Sequence, residues 1–557
     1  MTKVAIFGGG IGGLTVAHEL ITRGFDVDVY EKGTMCGGKA RSLEKPGTGT
    51  DGRRDLPGEH GFRFFPGFYR HLDDTMKRIP DGAGKYAYDH LVDAKTFAIA
   101  QEGKELYNLP VDTPKTLPEW IVALNNFFGN PALGLAPGEK EILVERILRL
   151  LSMCRERRER DYECMSWWDY HNVPIPRSDQ YNKMFVTGFS RSLVAMDAEQ
   201  ASTWTGANLL SQFFKVFFES GTMDRALDGP TNDVWFSPWI SWLDNQGVNF
   251  HMEEKLTELA VNTVGGQSTI SGATLENTKT SVTTTVTADY YVAAVPVEVM
   301  TPLVKSDSNL ALLAAAPSLG KIDNLEVSWM NGIVFYLKND VPVVDGHINF
   351  ADSKWALTGI SQAQFWNDSP TNFGDGTING ILSIVISDWT TAGDKVHLKT
   401  AAQCTSAQEV ADETWAQIKL HLPGAAAAKL TSGDPVGFFL DSAIAFDPSM
   451  VTSTQNAEPL LINTACSLVN RPEAATEIAN LMLASDYVKT NIDLATMEGA
   501  NEAGRRAANA ILAASNSTKP PCDVWEYEEP EVFKDLQAFD RLLFEAGGPF
   551  YGDIPLP

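Results

Sequence analysis

The chain has 557 residues, 44% hydrophobic and 21% charged, an ordinary globular balance. A single hydrophobic core stops growing at roughly 250–300 residues, so two connected domains are expected. Nucleic-acid binding needs clustered Lys and Arg, for which a chain of net charge −26 is a poor candidate, so no nucleic-acid partner is expected and the acidity serves solubility.

Cys36, Cys154, Cys164, Cys404, Cys466 and Cys522 are scattered, with no C-x-x-C pair and no Cys/His cluster of zinc spacing. No metal is expected, and the six are read as free thiols in a reducing compartment. No run reaches the roughly 18 apolar residues of a membrane-spanning helix, and the N-terminus lacks a secretory pattern. A cytoplasmic protein is expected, with peripheral membrane contact left open.

Residues 3–7 read as a short apolar strand, ended by Gly8-Gly9-Gly10-Ile11-Gly12-Gly13. Leu14, Ala17, His18, Leu20 and Ile21 recur at helical spacing, Arg23-Gly24 closes that helix, and a second strand runs from Asp26 to Glu31. Gly8, Gly10 and Gly13 thus fall in G-x-G-x-x-G register within a βαβ unit. Gly8 permits the tight turn, Gly10 lets the backbone approach a pyrophosphate, and Gly13 lets helix and strand pack closely. The helix N-terminus offers N–H groups to phosphate, and Glu31 is placed to accept hydrogen bonds from an adenosine ribose. Its charge disfavours a 2′-phosphate there.

Lys32 to Ser42 contains Gly37-Gly38-Lys39-Ala40-Arg41-Ser42. It resembles the continuation found in flavin amine oxidases and phytoene desaturases. That resemblance implies FAD, with Lys32, Gly38, Lys39 and Arg41 along its pyrophosphate and ribityl chain. Residues 58–70, Gly-Glu-His60-Gly61-Phe62-Arg63-Phe-Phe-Pro-Gly-Phe-Tyr-Arg, are similar to a block that phytoene desaturases, carotene isomerases and hydroxysqualene dehydroxylases carry close to the isoalloxazine. Gly61 and Phe62 become cofactor contacts on that reading, and His60 and Arg63 the candidates for acid/base or anchoring work.

Residues 110–172 show a helical hairpin pattern broken at Asn130–Gly138, with Glu139–Arg160 as its second arm. The run Arg155-Glu-Arg-Arg-Glu-Arg160 reads as a solvated helix face. Ser166-Trp167-Trp168-Asp169-Tyr170 resembles a short helix that desaturases carry. Aromatics cluster at Trp120 to Phe128, Phe213 to Phe218 and Trp235 to Trp242, more in the manner of core than of pocket; any that line a cavity would imply a large apolar substrate. Residues 244–259 resemble the family stretch in which a strand residue, here Leu256, meets adenine through its backbone. The Thr-rich residues 278–287 are expected to form strands, because threonine is β-branched and valines interleave. Residues 325–385 alternate as a sheet with one face on a cavity.

The closing block, residues 484–512, holds Asp486 and Ala495-Thr496-Met497-Glu498-Gly499-Ala500. It is similar to the family's C-terminal signature, apart from Ser485 and Ala503 where Gly and Ser are usual. By that resemblance Asp486 addresses the ribityl or pyrophosphate region, and the Met497, Glu498 and Ala500 turn addresses the flavin N1/C2 edge. The tail from Trp525 to Leu556, with Phe533, Leu536, Phe539 and Leu543 at helical spacing, is expected to pack on the body or on a partner subunit.

The expected fold class is α/β: a two-domain flavoprotein with a Rossmann-type FAD-binding domain and an α+β substrate domain. The expected segments are 1–85, 241–305 and 461–515 for the FAD-binding domain, 86–240 for a mainly helical and 306–460 for a β-sheet substrate region, and 516–557 for the tail. The resemblance implies an FAD-dependent oxidoreductase that desaturates or isomerises an isoprenoid or other long unsaturated molecule. The alternatives are an amine or amino-acid oxidase releasing hydrogen peroxide and a non-catalytic flavoprotein scaffold. No second glycine fingerprint suggests NAD(P)H, so the expected electron acceptor is O₂, a quinone or an unknown.

Overall fold

In the computed structural model, Val4, Ala5, Ile6 and Phe7 are wholly buried in strand β1 (Lys3–Phe7). Helix α1 (Ile11–Ile21) and strand β2 (Asp26–Glu31) follow, as the hydrophobic spacing predicts. The structure describes all residues except 109–113, 221–223, 341–342, 423, 425–434, 448, 450–453 and 555–557.

β1 and β2 sit within a five-stranded parallel sheet, in the order Leu481–Leu483, Tyr290–Ala293, β1, β2, Asn249–Met252. Its strands therefore come from the beginning, the middle and the end of the chain. α1 packs on the closing helix Met497–Ala514 through small residues: a Cβ on Gly504 would lie 2.6 Å from Gly12 O. Beside this sheet, Glu254–Val264, Gln267–Asn277 and Thr283–Val286 form an antiparallel meander. The Thr-rich stretch is thus part turn, at 278–280, and part strand.

A seven-stranded sheet forms the second layer, ordered Gly437–Leu440, Asn331–Leu337, Gly380–Ile386, Leu357–Ser361, Gly346–Phe350, Thr96–Ala100, Tyr107–Asn108. Strand alternation sends Phe350, Leu357 and Ile384 toward the helix Ala407–His421. The opposite face carries His347, Thr358 and Val385, which line a cavity. Residues 96–108, read from sequence as part of a mainly helical stretch, supply two strands at this sheet's edge.

The helical layer holds Leu117–Phe128, Glu139–Ser152, Arg155–Tyr162, Trp167–Asn172 and Thr203–Lys215. The first residues of the predicted hairpin, 110–113, lie outside the described residues. Its second arm is not one helix: Met153 and Cys154 are extended, and the chain restarts at Arg155. The arginine run beyond that break is not a solvated face either, because Arg157 and Arg158 are 1% and 0% exposed. Arg157 Nε donates to both Asp540 oxygens at 2.9 and 3.0 Å, and Arg158 pairs with Glu529, so the C-terminal tail supplies the counter-charges. The tail packs on the body with Phe533 buried, whereas Phe539 is half exposed; Leu556 lies outside the described residues.

Trp120, Phe214, Phe218, Trp235 and Trp239 are core residues, while Phe213 lines the cavity. The cysteine expectation is corrected for two of the six: Cys164 and Cys466, both exposed, form a disulfide across a sequence separation of 302. Cys36, Cys154 and Cys522 are buried free thiols, and Cys404 is buried outside any disulfide. Among the described residues, no helix is long and apolar enough to cross a membrane.

Candidate cofactor and substrate cavity

The glycine loop is shaped by contacts that leave no room for side chains. Gly8 has φ +111°, and a Cβ there would lie 2.3 Å from Ala294 O. On Gly13 it would lie 2.0 Å from Gly8 O, and on Gly12 2.0 Å from Ala484 O. Gly10 differs: its nearest neighbour would be Gly38 Cα at 3.8 Å, so the protein leaves open space above it. Gly10 is also the N-cap of α1 and brings no side chain to satisfy the first N–H groups.

Glu31 ends β2 with one oxygen accepting from Gly9 N and the other from Gly33 N, each at 2.8 Å. Both oxygens keep a further lone pair. Gly37 N donates to Gly9 O at 2.8 Å, which seats the 37–41 loop on the glycine turn. Lys39 Nζ lies 2.7 Å from Glu298, and Arg41 donates to Gly38 O at 2.6 Å and to Glu458 at 3.1 Å. Gly8, Gly10, Glu31, Lys32, Gly38, Lys39 and Arg41 all line one cavity of about 400 Å³; Gly13 stands behind it, in the packing role its spacing predicts.

The 58–70 block enters the same cavity with His60, Gly61, Phe62, Arg63, Phe64 and Phe68. Gly61 presses on the large sheet, where a Cβ on Gly332 would come within 2.9 Å of its Cα. His60 Nδ1 lies 2.7 Å from Asp441. Burial would raise the Asp441 carboxyl, but His60 and the Ala443 N–H hold it below the usual range. Arg63 donates to the carbonyl oxygens of Lys39, at 3.1 Å, and Gly61, so it ties the two loops together.

Leu256, Asp486, Met497 and Ala500 line the cavity from the meander and the closing block. Thr496 caps the closing helix by accepting from Gly499 N at 3.0 Å. Glu498 is the exception among the predicted contacts, for its side chain does not face the cavity. It accepts from the N–H groups of Arg70, His71 and Leu72 at 2.8–3.0 Å. Trp525 N donates to His71 Nε2, so the His71 proton sits on Nδ1, 2.7 Å from Glu498. Burial would raise Glu498, yet these donors hold it below the usual carboxylate range. A buried acceptor here fixes the aromatic block to the closing helix.

Sequence reasoning missed Gly12, Glu298, Asp441 and Glu458, and also the pair His347 and Asp224. None carries a local motif, because each acquires its partner across large sequence separations.

The cavity fits FAD on its own terms. Open space over Gly10, uncapped N–H groups of α1, a strand-end carboxylate, Lys39 and Arg41 suit a dinucleotide. Phe62, Phe64, Phe97, Phe213, Leu209 and Met330 add an apolar region.

Comparison with known proteins agrees. The profile of the flavin containing amine oxidoreductase family matches residues 11–512. A zeta-carotene desaturase of Synechocystis sp. is 23% identical over 538 residues, covering 92% of this chain and 97% of its own. A 15-cis-phytoene desaturase of Synechococcus elongatus is 22% identical over 524 residues, covering 92% and 96%. Among solved structures, a putrescine oxidase bound to putrescine superposes with TM-score 0.59 at 13% identity, covering 92% of this chain and 99% of that one. An oxidoreductase from Methanosarcina mazei gives TM-score 0.55 at 12% identity, covering 92% and 100%, and both establish the shared fold. The chain belongs to the flavin containing amine oxidoreductase family, and it is an oxidoreductase whose cofactor is FAD.

Proposed function

We propose that this enzyme acts on a long, mostly apolar, unsaturated molecule of isoprenoid or carotenoid kind, by desaturation or isomerisation. The observation that carries the reading is the apolar part of the cavity, where Phe62, Phe64, Phe97, Leu209, Phe213 and Met330 offer surface to a hydrocarbon rather than to a small polar substrate. The desaturase names of full-length relatives support it.

Bound FAD supplies a two-electron acceptor for hydride. The residues would divide the work of holding it. Glu31 accepts from the adenosine ribose and Leu256 meets adenine. Lys32, Gly38, Lys39, Arg41 and Asp486 follow the pyrophosphate and ribityl chain, with Gly8, Gly10 and the start of α1 beneath them. Gly61, Phe62, Met497 and Ala500 border the isoalloxazine, and His60 and Arg63 sit in the same wall. The FAD-binding part would comprise 1–85, 241–305 and 461–515. O₂ or a quinone would take the electrons onward, and a peripheral contact with lipid would deliver the substrate.

Amine oxidation is the second reading, supported by the description of the family, flavin containing amine oxidoreductase. Anaerobic reduction of the bound flavin separates the two. Polyenes in detergent should bleach the flavin; bleaching by simple amines alone overturns the first reading.

A further inference from the structure

The disulfide Cys164–Cys466 does not line the cofactor cavity, and the proposed chemistry gives it no task. Both residues are exposed, so a thiol in solution can reach the bond. Cys164 sits in the link between the helices Arg155–Tyr162 and Trp167–Asn172. Cys466 follows the strand Leu460–Ile462, whose residues line the cavity. The seam that carries the bond has its own hydrogen bonds. Cys466 N donates to Glu163 O at 3.0 Å, Ala465 N to Gln200 O at 2.8 Å and Ser202 N to Asn463 O at 3.0 Å. These backbone contacts hold the two sulfurs face to face whether or not the bond is closed, and reacting groups kept in place re-form a bond readily.

Glu163 is buried against the bond. One of its carboxylate oxygens accepts from Leu468 N at 2.8 Å, and the other lies 3.2 Å from Cys164 Sγ. A disulfide sulfur carries no hydrogen and a thiol sulfur carries one, so opening the bond brings a proton to this contact. Burial, with Asp493 and Glu159 nearby, pushes the Glu163 carboxyl above its usual range against the pull of the Leu468 N–H. A carboxyl so displaced holds its proton more firmly and can pass it to the sulfur beside it.

We propose that Cys164–Cys466 is a reversible thiol–disulfide couple, with Glu163 as the proton partner of Cys164. The thiolate of a small thiol such as glutathione attacks Cys466 Sγ, the S–S bond breaks, and Cys164 leaves with the proton of Glu163. Protonation at that sulfur makes it the better leaving group. A second glutathione thiolate attacks the glutathione sulfur of the mixed disulfide and releases Cys466, which takes its proton from water, as Glu163 then does. Two glutathiones are oxidised to glutathione disulfide and the pair is reduced to two thiols. Closing the bond ties the helical layer to the strand that walls the cavity.

The test equilibrates the native full-length protein in glutathione buffers of graded ratio, traps thiols with iodoacetamide and reads Cys164 and Cys466 by peptide mass. The two should pass together from disulfide to dithiol within the range of those buffers. In Glu163→Gln, whose amide keeps an acceptor for Leu468 N but has no acidic proton, reduction should be at least about tenfold slower. Cys466→Ser gives a measure that does not depend on that variant. A carboxylate facing the Cys164 thiol should place the midpoint of its alkylation rate above the ordinary thiol value of about 8.5. A native bond that stays closed in every buffer overturns the couple. An unchanged reduction rate in Glu163→Gln, or a midpoint at or below the ordinary value, overturns the role of Glu163.

Discussion

Two glycines, two residues apart, separate folding from the proposed capture of the cofactor. Gly8 combines a positive φ with a Cβ position 2.3 Å from Ala294 O, so Gly8→Ala strains the turn itself. We expect a loss of about 1–3 kcal/mol in apoprotein stability, read from its denaturation midpoint. Gly10→Ala meets only an ordinary contact at 3.8 Å, and should leave that midpoint unmoved while lowering the flavin content of the purified protein. The tight turn at Gly8 was readable in the sequence from the motif's spacing, which also carries the role proposed for Gly10. Gly12 has as tight a contact, but against Ala484, and nothing local announces a neighbour so distant in the chain. The same limit hid His347 and Asp224, whose meeting depends on how two sheets align, and the direction of the Glu498 side chain, which the signature names without orienting.

Glu19 gives the pH dependence a definite sign. Burial would raise its carboxyl, but Arg78 outweighs that and brings it down to about 2. Arg23 also lies 2.6 Å away. A carboxyl whose folded value lies below its unfolded value of about 4.3 stabilises the fold above that pH, and the benefit disappears as pH falls toward 2. Glu19→Gln should therefore be about 3 kcal/mol less stable at pH 7, with the gap closing between about pH 4 and 2 in chemical denaturation.

At the scale of elements, the helix Arg155–Tyr162 shows how composition misleads. Seven charged residues in a row suggest water on all sides, yet the tail brings Asp540 and Glu529 against its inner face. Asp540 also accepts from Cys154 N at 3.0 Å, at the break between two helices. Asp540→Ala strands a buried guanidinium and should cost about 3–5 kcal/mol. Asp161→Ala, which removes the exposed partner of Arg160, should stay within about 0.5 kcal/mol. Similar losses from the two variants in urea titrations would show that the tail is not structural.

For the whole molecule, the α/β architecture followed from motifs at both ends of the sequence. The edge strands at 96–108 and the disulfide had no such signal. Reducing Cys164–Cys466 should cost about 2–4 kcal/mol, seen as a lower unfolding midpoint in dithiothreitol.

The five-stranded sheet has a further consequence, for biosynthesis. Its edge at Leu481–Leu483 pairs with Tyr290–Ala293, which in turn pairs with Lys3–Phe7. A ribosome making this protein must emit the chain as far as Leu483 before this sheet can close. The βαβ unit of Lys3–Glu31 waits for partners made much later, so flavin loading follows the emergence of Leu483.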